Sequence, residues 1–304
     1  MASSARLAPV ALIAGSCVSL QFGAALAVQL FPALGSWGMT ALRVLIAAVA
    51  VLLIARPAAW AWDRRQWGLV AGYGLALGGM NGFFYASLAV LPLGPAVAIE
   101  FLGPLLLAAA LSRRIADISW VVLALGAMGL FALDGMNGEH LDPTGVMLVL
   151  IAAAFWALYI RLGARVSRNV PGLGGLGMGL AIAAIALIPF GVPAIAIVAL
   201  DPTLVPLVIG TVVLASVVPY SLELLALRRL SQRAFGILLS LEPVFAALFG
   251  WLLLAQDLSP LRIVAIVLVV AASIGTAIGA RPTDEAHPGT GLTPVPIPAR
   301  GSDR

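Results

Sequence analysis

The 304-residue chain is 62% hydrophobic and only 10% charged, where a soluble domain carries about a quarter of its residues charged, so bulk water is not its main solvent. Its basic residues are all Arg and lie scattered in short connections, so the net charge of +4 forms no basic face for nucleic acid. A lone Cys17 in an apolar run excludes both an intramolecular disulfide and a paired-Cys metal site.

About 20 apolar residues suffice to cross the roughly 30 Å hydrocarbon core of a bilayer. In lipid such runs must be helical, because an unpaired backbone group would find no water. The first run, about 8–30, contains Gln21 and an Ala25-Leu26-Ala27 that resembles a signal-peptide cleavage site, but further spans follow and it is read as a span. Next come 36–56, which holds Arg43, and 66–91, which holds "GYGLALGG" (72–79), Asn81 and Tyr85. The small residues of that motif predict close helix contact. The fourth run, 93–112, carries Glu100 and Pro104, and 116–134 follows. The second half reads 143–163, 171–192, 205–227 with Ser216, Tyr220, Ser221 and Glu223, 233–254 with Glu242 and Pro243, and 260–280. Ten runs predict an all-α integral membrane protein with ten transmembrane helices. Residues 281–304 are rich in Pro, Gly and Thr without apolar periodicity and are read as a disordered tail.

Counting alternate connections, fifteen of seventeen Arg residues fall on the side of the N-terminus, while Asp134, Glu139, Asp142, Asp201 and Asp257 face only Arg262 on the other. The positive-inside rule then predicts that both termini are cytoplasmic.

Sliding the sequence on itself by 139 positions brings Gly38-Met39 onto Gly177-Met178, Leu88 onto Leu227, Leu91 onto Leu230 and Pro104 onto Pro243. Five spans, 8–134, thereby map onto five more, 143–280. An odd number of spans per copy forces the second copy to enter the membrane from the opposite side, the inverted repeat common in secondary transporters. The opposing reading is that helices rich in Ala and Leu align at many offsets.

Four ionisable residues lie inside runs: Arg43, Glu100, Glu223 and Glu242. Each costs about 2.5–3.5 kcal/mol at a helix centre on insertion scales, so the default expectation is a polar pathway in the bundle interior. Arg43 and Glu100 each sit roughly 10 Å from the outer ends of their spans and are candidate partners. Glu242 lies near mid-span, and under the repeat it falls on Gly103, one helical turn from Glu100, so the two carboxylates come from corresponding faces. Each precedes a proline, in "EFLGP" and "LEP", and a proline within a helix frees a carbonyl and kinks the chain. Asn81 and Tyr85 share a face of one span, Tyr220 and Glu223 of another. Bland alternatives stand beside these readings: snorkelling for Arg43, a rim carboxylate balanced by Arg228 and Arg229 for Glu223, packing kinks for the prolines and helix bridging for Asn81 and Tyr85.

The chain has no Lys, hence no nucleotide-binding Gly-Lys-Ser/Thr loop, and its two His residues lie at 140 and 287 outside the spans. Neither covalent catalysis nor a metal or cofactor is predicted, and no nucleotide partner.

"GGMNGFFYASLAVLPLGPAVAIEFLGPL" (78–105), "PYSLELLALRRLSQRAFGILLSLEPVFAALFGWLLLAQDLSP" (219–260) and "SLQFGAALAVQLFPALGSWGMTALR" (19–43) closely resemble the bacterial inner-membrane threonine/homoserine exporter family, part of the drug/metabolite transporter superfamily with duplicated EamA-type halves. The resemblance covers nearly all the chain except the tail. It implies two inverted five-helix halves around a central cavity and export of small amino acids driven by the proton-motive force. The matching positions are Gln21, Arg43, Asn81, Tyr85, Glu100, Pro104, Tyr220, Glu223, Glu242 and Pro243. One departure stands out: Ala255-Gln256-Asp257 occupies the place of the family's Gly-Glu at the outer end of the ninth span. On this reading Arg43 holds a substrate carboxylate and Glu100 or Glu242 its ammonium, with Gln21, Asn81, Tyr85 and Tyr220 completing the site. Glu242 is the expected proton switch, with Glu223 and Glu100 as further proton-coupling candidates. The expected partners are a small amino acid, protons and the lipid bilayer. The rivals are a related carrier for another metabolite, running as uptake or exchange, and a non-transporting scaffold whose charges only hold helices together.

Overall fold

The computed structural model describes residues 2–111, 115–137, 141–170, 173–219, 222 and 238–279. These are almost wholly helical, with no strand among them, as the apolar runs require. The first three runs form α1 (Ala2–Leu34), α2 (Ser36–Ala55) and α3 (Arg64–Leu88). The fourth is split into α4 (Leu93–Glu100) and α5 (Leu102–Leu111), followed by α6 (Ile115–Asn137). The second half contributes α7 (Pro143–Asn169), α8 (Gly174–Ala186), α9 (Ile188–Leu200), α10 (Val205–Val212) continued by a π-helical turn Val213–Val217, α11 (Glu242–Leu254) and α12 (Pro260–Gly279). By length and composition Val10–Leu34, Ser36–Ala55 and Pro143–Asn169 are each long and apolar enough to cross a bilayer, and α8 with α9 form a broken fourth candidate.

Polar side chains set the helix ends. Asp63 and Gln66 close a reciprocal capping box at the start of α3. Asp142 accepts from the backbone N–H of Thr144 and Gly145, with Pro143 in the first turn of α7, where its missing N–H costs nothing. The same hydrogen bonds hold the Asp142 carboxyl below the ordinary aspartate range.

Three runs depart from straight spans. The fourth breaks at Phe101 because Pro104 has no N–H to offer the carbonyl of Glu100, four residues earlier. The seventh, read as 171–192, bends by 82° at Leu187 and runs on to Leu200. Pro189, in the first turn of α9, forbids a continuous helix through that point. The ninth opens α11 at Glu242, after a turn at Ser240-Leu241 and immediately before Pro243. Glu242 is therefore a first-turn residue of its helix, not the middle of an unbroken one.

The helices pack chiefly across the two halves of the chain: α3 lies on α7 and α8, α2 on α8 and α9, α4 on α11, α6 on α12, and α1 on α10, the π-turn and α11. The glycines of 72–79 permit this approach. A Cβ on Gly74 would stand 2.4 Å from the carbonyl oxygen of Gly179, and one on Gly79 would stand 2.8 Å from the Phe155 ring. The outer surface is apolar: Leu53, Ile54, Val122, Ile185, Val192 and Val267 are all exposed. Contiguous exposed apolar surface of this kind is foreign to a soluble monomer. The interior conversely buries Gln21, Arg43, Asn81, Glu100, Asp134, Thr211, Glu242 and Arg262.

Polar links on the side of the α4 start and the α6 end help tie the halves together. The backbone N–H of Leu93, first in α4, donates to Oε1 of Gln256 at 2.9 Å, so the residue that departs from the family pattern supplies a neutral acceptor at that helix start. Arg262 Nε donates to Asp134 Oδ2 at 2.6 Å, Ser259 donates to the other Asp134 oxygen, and Arg262 also reaches the Asp257 carbonyl at 3.1 Å. Asp134 and Arg262 read from sequence as charges at span ends on the side away from the N-terminus, Arg262 at a helix start; both are buried.

Candidate functional site

Arg43 on α2 is 4% exposed. Its guanidinium does not snorkel: one terminal nitrogen donates to Oδ1 of Asn81, the other to the Ala215 carbonyl at 3.2 Å, and Cζ lies 4.5 Å from the centroid of the Tyr85 ring. Asn81 and Tyr85, four apart on α3, thus present one face to Arg43 as their spacing predicts. The Asn81 amide nitrogen donates to the Leu77 carbonyl at 2.9 Å, which leaves its oxygen for the guanidinium.

The carbonyl that receives Arg43 belongs to the π-turn. Such turns loosen the regular hydrogen-bond ladder and recur at functional sites. Here Ser19 donates to the Leu214 carbonyl at 2.8 Å, and Gly23 lets α1 close on the turn, where a Cβ would meet the Ala215 nitrogen at 2.6 Å.

Glu100 ends α4 and is buried. It shares an electrostatic environment with Arg43 and Tyr85, although among the described residues no contact ion pair joins it to Arg43. Glu242, also buried, opens α11, which packs on α4. A Cβ on Gly94 would lie 2.9 Å from Cα of Ala247, and one on Gly250 would lie 3.6 Å from Leu93, so α4 and α11 cross antiparallel. From the Gly94–Ala247 contact, Glu100 lies about 9 Å along α4 and Glu242 about 7.5 Å back along α11. Both carboxylates consequently stand at nearly one level, beside the breaks made by Pro104 and Pro243. Gln21 stands one turn before Ala24 and Ala25, which pack with Ala96, Ile99 and Ala246 at this crossing.

Four buried side-chain atoms lack a hydrogen-bond partner among the described residues: Gln21 Oε1, Arg43 Nε, Tyr85 Oη and Thr211 Oγ1. Buried polar groups are nearly always paired, and each exception calls for an explanation. Of the predicted site residues, Gln21, Arg43, Asn81, Tyr85, Glu100 and Glu242 are all buried, and Arg43 contacts both Asn81 and Tyr85. Tyr220 and Glu223 lie outside the described residues. Sequence reasoning missed Thr211 and the π-turn; its one available signal was a hydroxyl residue in the otherwise apolar "VIGTVV". A separate cavity of about 230 Å³ between α2 and the α8–α9 bend is walled by apolar side chains such as Leu45, Val49 and Ile188, and it holds none of this chemistry.

Known proteins share this organisation. The EamA-like transporter family matches residues 143–278. The threonine/homoserine exporter RhtA of Escherichia coli strain K12 is 37% identical over 273 residues, covering 90% of this chain and 92% of that protein. The RhtA of Salmonella typhimurium strain SL1344 is 38% identical over the same extent. A solved crystal structure at 20% identity superposes with a TM-score of 0.58 over 93% of this chain and 99% of its own, a likeness of fold. With its apolar exterior and buried charges, the chain is a multi-pass membrane protein, and it belongs to the RhtA family of threonine/homoserine exporters, its second half matching the EamA-like transporter family.

Proposed function

We propose that the protein is a secondary transporter exporting small zwitterionic amino acids, threonine or homoserine, across the cytoplasmic membrane in exchange for protons. The observation that carries this reading is the Arg43 site. A guanidinium kept inside the bundle at the insertion cost of a charge, with Nε unpaired and three other polar atoms left unsatisfied, suits a carboxylate-bearing ligand that is polar at both ends. Arg43 takes the carboxylate, Glu100 or Glu242 the ammonium, and Gln21, Asn81, Tyr85 and Tyr220 orient the remainder. Exporters named for threonine and homoserine, similar over nine-tenths of the chain, support the substrate class.

Proton exchange rests on the carboxylates. Glu242, with Glu223 and Glu100 as further coupling groups, takes up a proton from outside and releases it inside as substrate leaves. The breaks at Pro104 and Pro243 let the two crossing helices pivot beside these groups.

The architecture proposed for this cycle is ten spans in two inverted five-helix halves, 8–134 and 143–280, with both termini and the tail 281–304 cytoplasmic. The packing pattern supports it. Exchanging each span for its counterpart five places along turns the α1–α10 contact into α7–α3 and the α1–α11 contact into α7–α4 and α7–α5, while α2–α8, α4–α11 and α6–α12 map onto themselves. A pseudo-twofold axis in the membrane plane gives two nearly equivalent arrangements, one open to each side.

The test is efflux from cells preloaded with radiolabelled amino acids. Expression is expected to speed the loss of threonine and homoserine; efflux of both at the empty-vector rate, with the protein present in the membrane, would refute the reading.

A further inference from the structure

Thr211 lies in α10, fully buried, with Oγ1 unpartnered. A threonine inside a helix ordinarily satisfies its hydroxyl on the carbonyl four residues back. Thr40 on α2 does so, donating to Ser36 at 2.9 Å. Thr211 also has a helical carbonyl four residues back, at Leu207, and leaves its hydroxyl unpaired. Its face of α10 is fixed by Val208, one turn earlier, which packs with Met39, Leu42 and Tyr85. One turn later stands Ala215, whose carbonyl receives Arg43. Thr211 is therefore on the face of α10 turned to the Arg43–Tyr85 site, where the Tyr85 hydroxyl is also unpartnered.

Resting on the export reading above, we infer that Thr211 is a specificity-determining residue whose hydroxyl pairs with the side-chain hydroxyl of the exported amino acid while Arg43 holds the carboxylate. A hydroxyl both donates and accepts, so Thr211 and Tyr85 can serve it together, whether it is carried on the β carbon or the γ carbon. A substrate without a hydroxyl would leave both protein groups buried and unpaired. Sites built to hydrogen-bond a substrate hydroxyl reject its deoxy analogue for this reason.

Threonine and homoserine share one deoxy parent, 2-aminobutyrate, which makes the test direct. Efflux of radiolabelled threonine, homoserine and 2-aminobutyrate is compared for the unmodified protein, Thr211→Val and Thr211→Ser. Valine has nearly the shape of threonine and removes only an unpaired buried hydroxyl, so the helix is expected to form; Thr211→Ala serves as a second deletion of the hydroxyl. The preference for threonine over 2-aminobutyrate should fall about tenfold in Thr211→Val and Thr211→Ala, the worth of one hydrogen bond, and persist in Thr211→Ser. An unchanged preference in the Val and Ala variants would overturn the assignment, as would an equal loss in Ser, which would make the role one of packing. If the unmodified protein exports threonine and the preference ignores Thr211, only this assignment fails. If it exports neither hydroxylated amino acid, the export reading falls and the assignment with it.

Discussion

The guanidinium of Arg43 lies over the ring of Tyr85, with Cζ 4.5 Å from the ring centroid, while its terminal nitrogens bridge Asn81 on α3 and the Ala215 carbonyl in the π-turn. One side chain thus joins three elements. Lysine keeps the charge but offers a single point donor that cannot span both acceptors and stack as well. Arg43→Lys is expected to lower threonine efflux about tenfold or more, measured at matched membrane abundance.

Gly103 packs against α7 so closely that a Cβ would stand 2.1 Å from the Ala153 carbonyl oxygen, a backbone atom that cannot swing aside. Gly103→Ala is expected to destabilise the protein by about 1–3 kcal/mol through overpacking. Gly126 on α6 has open space where its Cβ would be. Gly126→Ala should be neutral or raise stability by up to about 1 kcal/mol through helix propensity. Thermal unfolding in detergent separates the two.

The Asp134–Arg262 pair is buried and joins the end of α6 to the start of α12. Arg262→Met alone leaves a buried carboxylate without its partner and is expected to cost about 3–5 kcal/mol, whereas the double variant Asp134→Leu with Arg262→Met should recover much of that loss. A double-mutant cycle on unfolding midpoints reads the coupling.

Asp142 caps α7, and its backbone hydrogen bonds lower its pKa. A carboxyl with a depressed folded pKa contributes stability that is complete above its unfolded value and disappears as pH falls through the folded one. The unfolding midpoint of the unmodified protein should therefore exceed that of Asp142→Ala by a constant margin from neutral pH down to the ordinary aspartate range. Below that range the margin should close.

Much of the candidate site was legible because burying charge in lipid is costly. Arg43, Glu100 and Glu242 stand out in apolar runs, and the four-residue spacing of Asn81 and Tyr85 placed both on one face. The break beside Glu100 follows from Pro104, and the close approach of α3 from "GYGLALGG". Hydropathy alone hid the 82° bend, because Pro189 leaves the apolar run unbroken while removing one backbone donor. It hid the Asp134–Arg262 link as well, because a charge at a span end reads the same whether it meets water or a partner 128 residues away. Thr211 escaped notice because threonine usually bonds to its own helix, and only side-chain geometry reveals that this one does not.

In the proposed transport cycle the carboxylates of α4 and α11 meet in one polar chamber and couple amino-acid movement to protons. The most direct measurement is accumulation of radiolabelled threonine by inside-out membrane vesicles given an imposed pH gradient, acid inside. The unmodified protein should concentrate threonine when the gradient is applied, and Glu242→Gln should lose that response while still exchanging threonine across the membrane without a gradient. Full gradient-driven accumulation by Glu242→Gln would contradict the account.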